Sequence, residues 1–296
     1  MSDLSLKNIV GQIEKDFLKK PGQVSVLGHG ETSQAYSFEI GNNKFVFRIS
    51  KQVSGFFKEM VIYEKYLELR KIMPKTFYIG KFANNYYYSI TQRCSGVIMD
   101  DLNENNLNGT LSKFVELVHS YHLISVAKST GFGDIDEKGN GAFSSWKDYL
   151  LNQTQVITPY WTKKEFLFYK KRLNKTVNNT PLSRSIIHGD LGFNNVLINK
   201  DKITGIIDWN DAKYGDFVYD IAYLYFWSKS IDHMKLFYDY YVNNNQLNLR
   251  NYRNRMRCYT IHLSINLLNY FAKTKQKKMF DFTKGRLDEI LTLVLN

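Results

Sequence analysis

The sequence predicts an α+β fold in two lobes: a small antiparallel β-rich lobe with one inserted helix, then a larger, mainly helical lobe carrying a hairpin. Two observations predict it. Short β-like runs dominate residues 23–92, and near-helical apolar spacing dominates the chain after Gly96. The change of character sets a hinge at about residues 92–96, between an N-terminal lobe of residues 1–95 and a C-terminal lobe of residues 96–296.

Each element has its own signal. Leu4, Leu6, Ile9, Val10, Ile13, Phe17 and Leu18 recur at near-helical spacing and predict an opening amphipathic helix that ends near Pro21. β-like runs follow at 23–27, 34–40 and 44–49, the last two joined by the turn signal Gly41-Asn42-Asn43. A helical pattern from Phe56 to Leu69 stops before Pro74, and strands over 77–82 and 86–92 flank Asn84-Asn85. The Asn-rich stretch 100–109 reads as a connector, followed by helices over 111–124, 146–155 and 163–177. Ser185–Ile187 and Val196–Ile198 then flank a loop, and 203–207 returns after a turn, a hairpin-like island among helices. Helical patterns close the chain over 217–227, 234–242, 252–271 and 282–295.

Composition excludes several classes. With 296 residues, 44% hydrophobic and 23% charged, the chain has the makings of a sizeable core and is not of disordered type. No run approaches the ~18 apolar residues of a membrane span. The start lacks a basic segment followed by an apolar one, so no secretory signal is expected. Cys94 and Cys258 stand far apart, so a reduced, cytoplasmic protein without disulfides is expected. The net charge of +12 raises the question of nucleic acid, but the basic residues are scattered lysines. The tightest cluster, 273–278, reads as a solvated loop, and no zinc-finger spacing, heptad or glycine-aromatic motif accompanies it. A basic surface without a nucleic-acid partner is the expectation.

The chemistry concentrates in His188-Gly-Asp190-Leu-Gly-Phe-Asn194-Asn195, followed by Ile206-Ile-Asp208-Trp209. Asp190 and Asn195 lie five apart on a loop, with Asp208 at the end of the next strand, so a hairpin would converge two carboxylates and an amide. Phosphoryl transfer uses such a set: a carboxylate to take the hydroxyl proton, and oxygen ligands for Mg²⁺. Asp and Asn are also common turn residues that bond their own backbone, and His188 reads more simply as a structural histidine beneath the loop. The combined pattern favours chemistry.

A second signal is Gly28-His-Gly30-Glu-Thr-Ser33 between two strand patterns. Its glycines would let backbone approach a nucleotide, and a Thr32 or Ser33 hydroxyl would reach phosphate oxygens. It is neither a Walker A loop nor a dinucleotide fingerprint, and glycines at strand ends often only make turns. The third signal is Arg48 within Phe45-Val-Phe-Arg-Ile. A buried cation there needs a partner, and Glu59 or Glu64 on the next helix would serve beside phosphate. The alternative is a surface arginine on an edge strand.

The sequences HGDLGFNN (188–195), IIDW (206–209) and GDFVYDIA (215–222) resemble the aminoglycoside phosphotransferases, relatives of the eukaryotic-type protein kinases, and within them the hygromycin B branch. Residues 30–38, Gly55–Glu59, Thr130–Gly133, Ser145–Tyr149 and Phe226–Trp227 extend the likeness from about residue 25 to the C-terminus. The resemblance implies a bilobal protein-kinase-like fold with ATP, or GTP, in its cleft, and the segment of Gln92 and Cys94 at the base. It implies Asp190 as catalytic base, Asn195 and Asp208 as Mg²⁺ ligands, Glu59 as the partner of Arg48, and Asp220 as a prop of the loop. The implied acceptor is a hydroxyl of an aminoglycoside-like antibiotic, modified with 4-type regiochemistry by a monomeric resistance enzyme. Asn194, Trp227, Tyr259 and Asn266 form the expected acceptor side.

Departures concentrate on that side. Most members carry Lys where Arg48 stands, although the hygromycin branch has Arg. Where that branch has an acid and then Gln, this chain has Asn266 and Leu267, and Ile231 stands where it has a second tryptophan. Polycationic acceptors need carboxylates, and Asp232, Asp281, Asp288 and Glu289 are available to supply them. Other readings are a metabolite kinase of the same fold and a non-catalytic nucleotide binder. A protein kinase is disfavoured, because Gly215-Asp216 follows Asp208 too closely for an activation segment.

Overall fold

The computed structural model describes residues 5–29 and 33–293. Gly30, expected at the nucleotide, lies outside the described residues. In chain order the elements are α1 (Leu6–Phe17), β1 (Ser25–His29), β2 (Ser33–Ile40), β3 (Asn43–Ser50), α2 (Ser54–Lys65), β4 (Thr76–Ala83), β5 (Tyr86–Gln92) and β6 (Val97–Ile98). Then come α3 (Glu104–His122), β7 (Phe132–Ile135), β8 (Gly141–Phe143), α4 (Trp146–Leu151), α5 (Lys163–Thr176), β9 (Ser185–Ile187), β10 (Val196–Asn199), β11 (Lys202–Ile206) and β12 (Lys213–Gly215). Helices α6 (Val218–Trp227), α7 (His233–Asn244), α8 (Tyr252–Lys273) and α9 (Lys277–Leu293) follow. None of the described helices is long and apolar enough to cross a membrane.

The chain forms two compact units. One comprises Met1–Thr110, Glu137–Gly139 and Phe193–Asn210; the other comprises Leu111–Asp136, Asn140–Gly192 and Asp211–Asn296.

In the first unit an antiparallel sheet of order β1-β2-β3-β5-β4 carries α1 on one face. Ser5 caps α1, its hydroxyl accepting the Asn8 N–H at 3.3 Å, and Ile9 and Ile13 enter the core with Phe38, Phe47 and Ile90. Strand alternation explains the rest. On β3, Phe45, Phe47 and Ile49 join this core, so Arg48 turns to the opposite face, where α2 buries Phe56, Glu59 and Ile62. A second sheet, β11-β10-β6, completes the unit, tied to the segment after α2 by the Ile206 N–H donating to Ile72 O at 2.7 Å.

In the second unit α8 is the central helix, with α5, α6 and α9 packed on it. A small sheet of order β8-β7-β12-β9 lies in the same unit, with α4 packed on β7 and β8.

The structure corrects several expected elements. The pattern 56–69 is broken at Tyr66, whose extended backbone (φ −116°, ψ 98°) ends α2 and starts a short 3₁₀ turn over Leu67–Lys71. The supposed connector 100–109 already contains the start of α3, where the Asn103 side chain accepts the Asn106 N–H at 3.0 Å and caps the first turn. Ser185–Ile187 does not join Val196–Ile198 in one hairpin: β9 pairs with β12, and β10 pairs with β11 and β6.

Candidate active site

The first unit gathers charge around Arg48. The Arg48 guanidinium makes a two-pronged pair with Glu59, Nη1 donating to Oε1 at 3.1 Å and Nη2 to Oε2, while Phe56 lies 5.1 Å beneath it. Burial opposes the Arg48 charge, but Glu59, and with it the carboxylate of Asp208, outweigh burial and raise its pKa. Arg48 Nε remains buried with no hydrogen-bond partner among the described residues. It is a buried donor open to a further acceptor.

Asp208 stands just after β11 with a left-handed backbone (φ +64°), and its Oδ1 accepts from Asn210 Nδ2 at 2.6 Å. The Ile207 N–H donates to the carbonyl of Asn195 at 2.9 Å, which ties the buried Asn195 to the residue before Asp208. Exposed Asn194 donates from Nδ2 to Asn195 Oδ1 at 3.4 Å. One carboxylate and one amide offer only oxygen ligands and a single negative charge. That set suits a hard Mg²⁺ that takes its other ligands from phosphate and water. Among the described residues no cluster of three or more His, Cys, Asp or Glu could hold a metal alone.

The second unit holds the loop of Asp190. Asp220, fully buried on α6, accepts the backbone N–H groups of His188 (2.9 Å) and Gly189 (2.8 Å), the Tyr121 hydroxyl (2.7 Å) and, at 3.1 Å, His122 Nε2. Burial would raise its pKa, but the His122 hydrogen bond, the imidazoles of His122 and His188, and the Gly189 N–H together hold it below the usual carboxylate value. Gly189 adopts φ +82°, and a Cβ there would sit 2.1 Å from the Asp211 carbonyl oxygen, so no other residue fits. Behind this contact the buried Lys213 donates to the same carbonyl at 2.5 Å. His188 is fully buried, and its Nδ1 accepts the Asp190 N–H at 3.3 Å, which is the structural role expected of it. The Tyr223 hydroxyl donates to Asp190 Oδ1.

A carboxylate on a pinned loop, an arginine paired to a helix acid and an Asn/Asp oxygen set are the parts of a phosphoryl-transfer enzyme. The model of the phosphotransferase enzyme family (APH) matches residues 23–256. The chain belongs to this family. Hygromycin-B 4-O-kinase of Escherichia coli is 28% identical to this phosphotransferase over 225 residues, 73% of this chain and 66% of that protein. The chain thus spans just under two thirds of that relative's length. The crystal structure of aminoglycoside phosphotransferase APH(4)-Ia matches with a TM-score of 0.85 at 23% identity, covering 97% of this chain and 99% of the other. A thermostable mutant of APH(4)-Ia, solved as a ternary complex with AMP-PNP and hygromycin B, also gives 0.85 at 23% identity, over 96% and 98%. The GDP complex of aminoglycoside 2′-phosphotransferase-IIIa gives 0.69 at 17% identity, over 96% and 97%. These likenesses establish the kinase-like fold of the aminoglycoside phosphotransferases, with its antiparallel N-terminal sheet and helical C-terminal region.

The remaining expected residues divide. Gly28 is exposed on β1 beside a bulge, Ser33 opens β2 opposite Ser50, and Gln92 ends β5, its N–H donating to Lys75 O at 2.8 Å. Cys94 is half-buried, and burial pushes its thiol up to about 11. Just beyond it Gly96 (φ +112°) passes so near β10 that a Cβ would meet the Ile198 carbonyl oxygen at 2.1 Å. Trp227 is half-buried and stacks on Phe282 (6.0 Å between ring centroids). Exposed Asn266 uses its Oδ1 to accept from Gln153 (3.0 Å), and its Nδ2 meets His262 Nε2 at 3.0 Å.

Tyr259, expected to stack on a sugar, is a correction. It has no exposed surface, and its hydroxyl donates to Asp216 while accepting the Trp146 indole N–H at 3.1 Å. It is part of the core. Tyr223, Asn210 and Lys213 escaped the sequence reading. Tyr223 follows Asp220 by three on the same helix face, but that spacing alone does not point to Asp190.

Proposed function

We propose that this phosphotransferase moves the γ-phosphoryl group of ATP, or GTP, to a hydroxyl of an aminocyclitol antibiotic of the hygromycin B type, inactivating it. The observation that carries the reading is Arg48, pinned by Glu59 beside Asp208 with Nε still unpartnered. The Escherichia coli hygromycin-B 4-O-kinase and the AMP-PNP and hygromycin B complex of APH(4)-Ia support the donor and acceptor classes.

In this reading Arg48 grips the donor phosphates, with the backbone of Gly28 and Gly30 and the Ser33 hydroxyl alongside, while Gln92 and Cys94 border the base. Asp190 takes the proton of the acceptor hydroxyl as its oxygen bonds to the γ-phosphorus and the bridging P–O bond breaks, releasing ADP. Asn195 and Asp208 would hold Mg²⁺, which when bound neutralises phosphate charge. Asn194, Trp227 and Asn266 contact the acceptor. The test is ADP release from Mg-ATP across an acceptor panel that includes hygromycin B, followed by locating the phosphorylated hydroxyl. Absence of turnover on every aminocyclitol would sink the antibiotic assignment.

One observation favours a second reading, a metabolite kinase with a less cationic acceptor. The four acids expected to supply carboxylates for a polycation are each engaged within the protein. Asp232 caps α7, Asp281 pairs with Lys277, Asp288 accepts from the Tyr169 hydroxyl, and Glu289 pairs with Lys229 and Arg286. Turnover of choline, a sugar or an amino alcohol in the same panel, without hygromycin B, would decide for it.

A further inference from the structure

Helix α6 meets the loop His188–Asp190 at two levels. Asp220 takes the backbone N–H groups of His188 and Gly189, and three residues further along the same helix face the Tyr223 hydroxyl donates to Asp190 Oδ1. The first contact fixes where the loop backbone runs. The second reaches the side chain on which the proposed chemistry depends.

We propose that Tyr223 is a positioning residue that sets the orientation of the Asp190 carboxylate and distinguishes its two oxygens, one held by the phenol and the other acting as base. The proposal rests on the reading of Asp190 as base. Three features support it. A carboxylate rotates about a broad terminal torsion, so a backbone grip alone leaves its plane unset, and a hydroxyl donor on one oxygen sets it. The donor stays a donor, because burial and the adjacent Asp190 carboxylate raise the Tyr223 pKa far above the working range. The donor is also braced, since Trp227, one turn further on, lies 6.2 Å away between ring centroids and stacks in turn on Phe282. Base, phenol and indole thus form one supported row at Asp190, Tyr223 and Trp227.

Tyr223→Phe tests this, because it keeps the ring and its packing and removes only the hydroxyl. Tyr225→Phe removes a hydroxyl from the same helix and serves as control. With Mg-ATP and hygromycin B, Y223F is expected to lower kcat about tenfold, the scale of one hydrogen bond to a charged group. The KM for ATP and the thermal midpoint should stay at wild-type values, and Y225F should match wild type throughout. The slow hydrolysis of ATP by water reads the same base without the antibiotic. If wild type leaves hygromycin B untouched, the acceptor assignment fails, and a tenfold loss of hydrolysis in Y223F still supports the positioning role. Unchanged kcat in Y223F would overturn the proposal, as would a loss that appears only in KM or only as reduced thermal stability. A wild type that turns over neither acceptor nor water would overturn it together with the reading of Asp190.

Discussion

Two arginine–carboxylate pairs, one in each unit, look alike in sequence and differ in how completely they are satisfied. Arg255 on α8 donates from Nε to Asp216 Oδ2 at 2.6 Å and from Nη2 to Oδ1, while Nη1 serves the carbonyls of Asn248 and Arg250. Its side chain is 1% exposed and that of Asp216 is fully buried. Arg48 and Glu59 are 14% and 6% exposed, and the guanidinium gives both ends to one acid while Nε goes unused. Both pairs incur a desolvation penalty. The saturated pair recovers it inside the fold, so its purpose is structure. The unsaturated pair leaves a buried donor open to a further acceptor, which is what the proposed role in binding donor phosphate requires.

The largest effect should follow from breaking the saturated pair. Arg255→Met leaves Asp216 charged and buried, and is expected to lower the unfolding free energy by about 3–5 kcal/mol in urea titration. A loss below ~1 kcal/mol would dissolve the distinction drawn here. Asp190→Ala should act the other way round. We expect kcat to fall at least ~10²-fold, the scale of removing a general base, with the urea midpoint unmoved.

Arg48→Lys keeps the charge but loses the fork that binds Glu59 and phosphate together. A rise of about tenfold in the KM for Mg-ATP, worth ~1.4 kcal/mol, should accompany little change in stability. Equal losses of stability and affinity would place Arg48 with Arg255.

The smallest effect belongs to a pair near solvent. Glu165, a third exposed, is held down to about 2 by its bond to Lys284 and by the Thr162 N–H. A depressed carboxylate stabilises the fold above its unfolded pKa of about 4.5 and loses that contribution as pH falls toward 2. Solvent screening keeps the contribution below ~1 kcal/mol. Lys284→Met should therefore cost a few tenths of a kcal/mol at pH 7, and the gap to wild type should close as pH drops through that window.

The comparison also marks where sequence was readable. Arg48 and the 188–208 segment stood out because charged residues interrupted apolar strands, which is costly unless something uses them. The five-stranded sheet was legible from alternation and turn residues. Strands β6, β7, β8 and β12 were not, because each has only two to four residues, and β6 and β12 pair with distant chain while β8 is the short edge of a local pair with β7. Tyr223 was hidden for a related reason. On a helix as apolar as α6 a tyrosine reads as packing, and its hydroxyl gains meaning only when the fold brings Asp190 to it. Tyr259 failed in reverse, since an aromatic judged suitable for a sugar proved to be the donor that completes Asp216.

The left-handed backbone of Asp208 has a practical consequence for anyone dissecting the proposed metal ligands. Alanine there removes a charge and also forces a β-carbon into a region that alanine resists, so its phenotype would mix two causes. Asparagine tolerates that region nearly as well as aspartate. Asp208→Asn thus removes the charge, exchanging one carboxylate oxygen for an amide NH₂, without the added backbone strain, and the difference between the two variants measures what the turn demands of its side chain.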